Sequence, residues 1–258
     1  DGPAGGGSGI GGAPLPFGTA TTRVAGEVLT LLPSGAAWWA AERTLIVADL
    51  HFEKGSSFAR RGALLPPHDT VTTLARLEAD MAASNPARVV SLGDAFHDPH
   101  APERLGEAAR ARLDRLVAGC DWLWIDGNHD AATTSDLGGR RAGEAAIGPL
   151  VFRHEPRPRP DPTGEIAGHL HPAARVKVAT GTVRRRCFAG DGRRLILPAY
   201  GAYAGGLDVA SRAFGGLFAT TDLVVHLVGE GRVHRFPSGA VVGLGVSRGG
   251  TGPRRASR

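Results

Sequence analysis

Short runs of apolar and β-branched residues recur along the chain, each bounded by polar or turn-forming residues. Runs of this length and composition predict buried strands. They lie at residues 44–48, 88–92, 122–125, 150–152, 165–167, 194–197 and 223–228. Between the first three runs, apolar residues recur at the spacing of one helix face. These helical positions are Val71, Leu74, Leu77 and Met81 in one stretch and Leu105, Ala109, Leu113 and Leu116 in the other. Strands that alternate with helices predict an α/β domain around a parallel sheet with right-handed crossovers.

A single domain accounts for these elements, because 258 residues leave no second stretch long enough for another core. We predict this domain at residues 19–248. The ends, residues 1–18 and 249–258, are rich in Gly, Pro and Arg without periodicity, and we expect them to be flexible tails. The first residues lack the basic and apolar regions of a signal peptide. The longest apolar stretch, 215–229, is interrupted by Asp222 and His226, so we expect no membrane segment.

Charge and cysteine content say little about the function. The formal net charge is +5, and the only lysines are Lys54 and Lys177, so nearly all of the basic charge is arginine. Guanidinium groups pair well with phosphate, which favours a polyanion such as DNA as a partner. A compositional bias toward Ala, Gly and Arg explains the same excess. Cys120 and Cys187 are too few for a disulfide framework, which favours a reduced, cytoplasmic protein.

Polar signatures follow the predicted strands at the points where the strands end. They are Asp49 and His51 after the first run, Asp94 after the second, Asn128 after the third, and His154, His169 and His171 after the next two. The carboxyl ends of strands are where ligand sites assemble in α/β sheets, so we expect these side chains to meet at one edge.

These seven side chains have the chemistry of a metal site. Asp49 and His51, two residues apart, can hold one cation from the same side, and Asp94 can bridge two cations with its two oxygens. A mixed set of nitrogen and oxygen ligands suits Mn, Fe or Zn better than Mg or Ca. Each signature alone is weak, since a lone Asp-x-His is usually a surface feature and a lone Gly-Asp a turn. Together and in order they predict two divalent metal ions.

Two such cations would lower the pKa of a bridging water and stabilise an in-line displacement at phosphorus. We predict that His129, next to Asn128, faces the phosphate and protonates the departing alkoxide. Asp130 either orients His129 or caps the following turn.

The order Asp-x-His, Gly-Asp, Gly-Asn-His-Asp, His, Gly-His-x-His resembles the calcineurin-like metallophosphoesterase superfamily over residues 45–172. The resemblance implies a four-layer αββα sandwich with its metal site at the carboxyl ends of the strands. It also implies how the ligands divide: Asp49, His51 and His171 on one metal, Asn128, His154 and His169 on the other, and Asp94 on both.

Residues 48–62, 92–98 and 197–206 further resemble the PdeM family of bacterial ligase-associated DNA-damage-response metallophosphoesterases. This resemblance extends to about residue 210. It implies a Mn-dependent endonuclease or phosphodiesterase that acts on DNA alongside a DNA ligase, a nuclease and a helicase. The stretch that ends at His97 is also similar to a Gly-Asp-x-Phe-His motif of another nuclease family, which implies a catalytic or substrate-binding role for His97. The alternative is that His97 is a polar residue at a helix start.

Several further residues fit a DNA substrate. Lys54, Arg60 and Arg61 follow the first metal signature, where they either hold flanking phosphates or form a solvated loop. The segment from Tyr200 to Gly206 either lines the cleft or packs in the core.

Three functions are consistent with these observations. The first is a metal-dependent phosphodiesterase acting on DNA, and the second is a small-molecule phosphatase or nucleotide pyrophosphatase with the same two metals. The third is a non-catalytic interaction module that kept the fold. Loss of metal ligands is typical of such modules, and every ligand position is filled here. The oligomeric state has no signature in the sequence.

Overall fold

A computed structural model describes residues 15–60, 62, 68–128, 136–158 and 164–244 of the chain. Within these residues the chain forms two β-sheets and a small number of helices. The strands of the first sheet are β1 (Ala20–Val24), β2 (Glu27–Leu31), β3 (Ala37–Trp39), β4 (Thr44–Ala48), β5 (Arg88–Leu92), β6 (Asp121–Ile125) and β7 (Arg140–Ala142).

The first sheet keeps the order of the sequence from β1 to β7. β1 to β4 pair antiparallel, and β4 to β7 pair parallel. β4 and β5 coincide with the predicted strands at 44–48 and 88–92, and all of β4 is buried. Because β4, β5 and β6 are parallel neighbours, their carboxyl ends lie side by side at one edge.

The second sheet contains the later strands. They are β8 (Glu144–Ile147), β9 (Leu150–Arg153), β10 (Gly164–Ala167), β11 (Pro172–Val178), β12 (Gly181–Gly190), β13 (Arg194–Ile196), β14 (Leu207–Asp208), β15 (Val224–Gly229) and β16 (Arg232–Pro237). Their order is β14-β11-β12-β13-β10-β9-β8, with β15 also paired to β12 and β16 to β15. β9 and β10 are parallel neighbours, so their carboxyl ends also lie together.

The helices of the described chain are α1 (Lys54–Arg60), α2 (Asp69–Ser84), α3 (Ala101–Arg104) and α4 (Glu107–Ala118). Two of them, α2 and α4, correspond to the predicted helical stretches. The buried faces contain Leu74 and Leu77 in α2 and Leu113 in α4. Two positions were wrong. Val71 is 50% exposed, because the buried face of α2 is completed by Thr70 and Thr73 instead. Leu105 lies between α3 and α4 with an extended backbone, so it is not part of either helix.

Three apolar clusters hold the layers together. One lies between the two sheets and includes Ile46, Val90 and Ile166. Another packs the first sheet against α2 and α4, and the third covers the other face of the second sheet. Short 3-10 helices at Arg212–Phe214 and Ser238–Ala240 lie over that third cluster, where the resemblance implies a helical layer. The predicted α/β sandwich of two sheets is confirmed, with the candidate metal site at the carboxyl ends of the strands.

The domain limits at residues 19 and 248 stay predictions. Leu15, at the first described position, packs against the helix-side cluster. Most of the predicted N-terminal tail and all of the predicted C-terminal tail lie outside the described residues. Among the helices that are described, none has both the length and the apolar composition to cross a membrane.

The first residues after β13 pack in the core. Tyr200 is fully buried, and its hydroxyl donates a 2.9 Å hydrogen bond to Asp80 of α2. Its backbone N–H donates to the carbonyl of Ala48, directly before the first metal signature. Burial raises the pKa of the Tyr200 hydroxyl well above its usual value. This segment therefore links α2 to the end of β4, which settles the choice between cleft wall and core for Tyr200.

The Tyr200→Phe substitution is expected to lower the free energy of unfolding by about 1–3 kcal/mol, because the buried Asp80 carboxylate loses one of its hydrogen-bond donors. Urea denaturation followed by circular dichroism measures this change. The same substitution at half-buried Tyr203 is a matched control, with an expected change below about 0.5 kcal/mol. Equal stabilities of wild type and Tyr200→Phe would contradict the proposed role of this hydrogen bond.

Candidate metal centre

The loops that carry the predicted ligands are joined to one another by backbone hydrogen bonds. The N–H of Asp49 donates to the carbonyl of Gly93, and the N–H of His51 donates to the carbonyl of Asp94. The N–H of Gly168 donates to the carbonyl of His154 in the same way on the second sheet. These bonds fix the spacing of the loops, so residues far apart in sequence are held at one edge of the sandwich.

The backbone at the predicted ligands is unusual. Left-handed φ angles between 43° and 68° occur at five of the seven positions, which are Asp49, His51, Asp94, His169 and His171. Such angles are uncommon for residues other than glycine and carry a conformational cost. Left-handed backbone of this kind concentrates at functional sites, where the surrounding structure enforces it.

A first group of side chains consists of Asp49, His51 and His171, whose ligand atoms all lie within 4.8 Å of one another. Nε2 of His171 lies 3.4 Å from Oδ1 of Asp49 and 3.1 Å from Nε2 of His51. Asp49 is fully buried, whereas His171 is partly exposed. This group is open to solvent on the His171 side, as a site that admits a substrate must be.

A second group consists of Asp49, Asp94 and His154, whose ligand atoms also lie within 4.8 Å of one another. Nε2 of His154 lies 3.7 Å from Oδ2 of Asp94, and Nδ1 lies 3.7 Å from Oδ1 of Asp49. Nδ1 of His154 is also 2.9 Å from the carbonyl oxygen of Leu92, to which it donates. That bond fixes the tautomer and leaves the Nε2 lone pair for a cation, as is usual for metal-binding histidines.

His169 and Asn128 adjoin the second group. Nδ1 of His169 lies 3.1 Å from Nε2 of His154 and 3.3 Å from Nδ2 of Asn128. The backbone N–H of His169 donates to both carboxylate oxygens of Asp49, at 3.2 and 3.0 Å. Gly168 permits this contact, since a Cβ there would lie 2.8 Å from Oδ2 of Asp49.

The structure thus brings all seven predicted ligands together. Asp49 is the residue common to both groups, whereas the resemblance assigns the shared position to Asp94. The division of ligands between two metals stays a prediction. His154 belongs to the cluster although its signature in the sequence is a single histidine.

The residues fit a divalent cation. The ring nitrogens of four histidines meet in two pairs at 3.1 Å, His51 with His171 and His154 with His169. At most one nitrogen of each pair can donate a proton to the other, so each pair contributes at least one lone pair to the centre. In the described part of the chain, Oδ1 of Asp94 and Nδ1 of His51 are buried without a hydrogen-bond partner. Buried polar atoms of this kind are rare in proteins unless an ion or water satisfies them. The arrangement has the features of a candidate divalent metal site of Asp and His residues.

The charge states of the first group suit cation binding. Burial raises the pKa of Asp49, but the hydrogen bond of His171 and the charges of the neighbouring histidines outweigh burial. The net pKa of Asp49 therefore lies below its usual value. Burial lowers the pKa of His51 to about 3, against the opposing effect of the Asp49 charge. Burial lowers the pKa of His171, but the hydrogen bond and the negative charge of Asp49 together outweigh burial, so the net pKa lies above its usual value. Asp49 is therefore anionic and His51 neutral near pH 7, the forms in which both bind metals.

The other predicted site residues differ in position. The ring centroid of His97 lies 5.7 Å from that of His51, and the ring stacks on Phe58 at 5.9 Å. Lys54 begins α1 and interacts electrostatically with Asp49; burial lowers its pKa. Arg60 ends α1 and is exposed. His129 and Arg61 lie outside the described residues.

Two participants were missed by the sequence analysis. The carbonyl of Leu92 orients His154, and the ring of Phe58 supports His97. No sequence signal identifies the first, because every residue carries the same carbonyl. The second follows from α1, which was not predicted because its segment, Lys54–Arg60, is short and has no apolar repeat.

A comparison with solved structures identifies a similar protein. The chain is similar to the crystal structure of Pseudomonas putida nuclease MPE, with a TM-score of 0.64 and 28% identity, over 84% of this chain and 100% of that one. The resemblance to metallophosphoesterases is confirmed. The chain is a metal-dependent phosphoesterase.

This phosphoesterase also overlaps with Yfce, a phosphoesterase from E. coli, at 12% identity over 75% of this chain and 98% of that one. The TM-score of 0.40 is too low for that likeness to bear on function. No family model matches the chain, and no curated protein matches it in sequence.

Proposed function

We propose that this phosphoesterase hydrolyses phosphodiester bonds of DNA with two divalent metal ions, and that manganese is the native metal. The observation that carries the proposal is the convergence of seven Asp, Asn and His side chains at one edge of the sandwich. The similarity to a nuclease over that protein's whole length supports DNA as the substrate. The mixed nitrogen and oxygen ligand set supports manganese, with iron or zinc as the alternatives.

When bound, two divalent cations supply Lewis-acid chemistry that activates water and neutralises charge on the phosphate. We propose Asp49, His51 and His171 as the ligands of one cation, and Asn128, His154 and His169 as those of the other, with Asp94 shared. The Leu92 carbonyl holds His154 in the tautomer that binds through Nε2. Asp49 accepts the N–H of His169 and so ties the two sheets together across the site.

Residues around the metal ligands are proposed to donate the proton and to bind the substrate. We propose His129 as the acid that protonates the leaving oxygen, on the strength of its place next to Asn128 in sequence. His97 is proposed to face the substrate, because its ring lies beside that of His51. Lys54, Arg60 and Arg61 are proposed to hold phosphates that flank the scissile bond. Of these, Lys54 has the best support, because its charge acts on His51 and His171.

The proposed activity predicts that purified protein with Mn²⁺ releases p-nitrophenol from bis(p-nitrophenyl) phosphate and cleaves single-stranded or nicked DNA. EDTA is expected to abolish both reactions, and added Mn²⁺ to restore them, because the ligands alone cannot activate water. A spectrophotometric assay and gel electrophoresis of a labelled oligonucleotide measure the two activities. Metal-loaded protein that cleaves neither substrate would rule out the phosphodiesterase proposal.

The second candidate function is a small-molecule phosphatase or nucleotide pyrophosphatase with the same metals. A cavity of about 370 Å³ beside His154 favours it, since this volume lies in the range of small-ligand sites. Rapid hydrolysis of nucleotides or phosphomonoesters without cleavage of DNA would establish this alternative.

We further propose that the protein acts in DNA repair in the cytoplasm, together with a DNA ligase, a helicase and a nuclease. The support is the sequence resemblance to ligase-associated metallophosphoesterases and the two unpaired cysteines, which fit a reducing compartment. Co-purification of a tagged chain with a ligase or helicase from its own cells tests the association.

A further inference from the structure

A cavity of about 370 Å³ adjoins the candidate metal centre on the side of Asn128 and His154. Its remaining wall contains charged side chains that have no place among the metal ligands. These are Asp126, Glu144, Arg153, Glu155 and Arg157. A group attached to a phosphate on the metals therefore has a defined space to enter.

One wall of this cavity is anchored by a buried ionic network. Glu165 and Arg194 are fully buried, and Arg153 is 4% exposed. Oε1 of Glu165 accepts from NH1 of Arg153 at 2.8 Å and from the backbone N–H of Arg157 at 3.1 Å. Arg194 donates to the other carboxylate oxygen of Glu165 and to the backbone carbonyl of Arg157. Both backbone groups of Arg157 are thus held by buried charges.

The network continues to the rim of the cavity. NH2 of Arg153 lies 3.2 Å from Oε2 of Glu144, and NH2 of Arg157 lies 2.7 Å from the same oxygen. Buried ion pairs seldom add stability over apolar packing, because desolvation of the charges offsets their attraction. We therefore interpret this network as positional: it holds hydrogen-bond donors and acceptors at fixed places beside the candidate metal centre.

The charge of the lining indicates what the cavity accepts. Grooves that follow a phosphate backbone are positively charged. Here three carboxylates, of Asp126, Glu144 and Glu155, line the cavity with two guanidinium groups. Two of these carboxylates are paired, Asp126 with Arg141 and Glu144 with Arg157, each at 2.7 Å. The wall therefore offers a mixture of donors and acceptors, which matches a neutral group that has both, and lacks the uniformly positive charge that favours a second phosphate. Guanidinium groups donate to base carbonyls and ring nitrogens, and carboxylates accept from base amino groups.

We propose that this cavity binds the base of the nucleotide whose phosphate is positioned at the metal centre, so that the enzyme distinguishes nucleotidyl esters from other phosphodiesters. The inference rests on the proposed phosphodiesterase function and adds a substrate class to it. Arg157 and Glu144 form the edge that recognises the base, and the Glu165 network keeps Arg157 in place.

The test compares two substrates that release the same p-nitrophenol: the p-nitrophenyl ester of thymidine 5′-monophosphate and bis(p-nitrophenyl) phosphate. Their ratio of kcat/KM is measured for wild type, Arg157→Ala and Arg157→Lys with saturating Mn²⁺. Arg157→Ala is expected to lower the ratio about tenfold, the effect of one lost charge-assisted hydrogen bond. Arg157→Lys retains the charge but not the planar fork, so its ratio is expected to fall between the two.

Arg140→Ala is a matched control. The Arg140 side chain is 62% exposed and pairs with Asp121 at 2.8 Å, much as Arg157 is 59% exposed and pairs with Glu144. Asp121 begins β6, at the end of the strand away from the metal centre, so this variant is expected to keep the wild-type ratio. A ratio that stays constant in Arg157→Ala would overturn the inference, since a purely structural effect changes both substrates alike.

Calorimetric titration with thymidine separates failure of the cavity from failure of the proposed function. Weaker binding of thymidine by Arg157→Ala than by wild type supports the cavity even if neither ester is hydrolysed. Equal binding, or no binding to wild type at millimolar thymidine, would overturn the cavity even if both esters are hydrolysed.

Discussion

The Asp49→Asn substitution is expected to lower kcat/KM for phosphodiester hydrolysis on the order of a thousandfold and to remove bound metal. Asp49 belongs to both ligand groups, so the loss of its charge weakens both. The asparagine keeps the size of the side chain and one acceptor for the His169 N–H, so the fold is expected to persist. Spectrophotometric kinetics and elemental analysis of dialysed protein measure the two effects.

Asp80→Asn is the control for this substitution. Asp80 is also buried and hydrogen bonded, to Tyr200, but it lies on α2 away from the ligand groups. Its replacement is expected to leave metal content and kcat/KM near the wild-type values. If Asp49→Asn kept its metal and its activity while Asp80→Asn did so too, Asp49 would not be a ligand.

The Gly93→Ala substitution is expected to destabilise the protein by about 2–4 kcal/mol and to displace His154 from the centre. Gly93 has a φ of +74°, and a Cβ there would lie 2.3 Å from Nδ1 of His154. The overlap also breaks the approach of Nδ1 to the Leu92 carbonyl, which holds the ring. Urea denaturation gives the stability, and metal content per chain reports the loss at the centre.

Gly192→Ala separates the two causes, because Gly192 has a φ of +87° and open space around it. Its replacement tests backbone strain without a clash, with an expected cost of about 1 kcal/mol and no loss of metal. Equal effects of the two substitutions on stability and metal content would show that the contact with His154 has no part in the site.

Much of the candidate site follows from local sequence. Each ligand follows within a few residues of a run that forms a buried strand, so Asp49, Asp94 and His169 can be placed near strand ends by inspection. The parallel arrangement follows from the helices between those runs, because parallel neighbours need a crossover. The helix positions are predicted well where the apolar repeat is complete, as at Leu74 and Leu77.

The antiparallel part of the fold was harder to predict from the sequence. Strands such as β1 and β16 contain exposed and polar or charged residues, so their apolar content is too low to separate them from loops. Their place depends on long-range pairing with neighbours. The exposure of Val71 has the same origin, since the helix face is chosen by what packs against it.

The sequence by itself determined the α/β class, the strands that carry the site and the identity of the candidate ligands, because these depend on residue type and local spacing. Only the tertiary structure decided that Asp49 is common to both groups and that a buried network around Glu165 holds Arg157 beside the centre. The first depends on contacts between loops of the two sheets, and the second on side chains that neighbouring strands of the second sheet bring together. Such contacts join residues far apart in sequence and leave no periodic pattern in the chain.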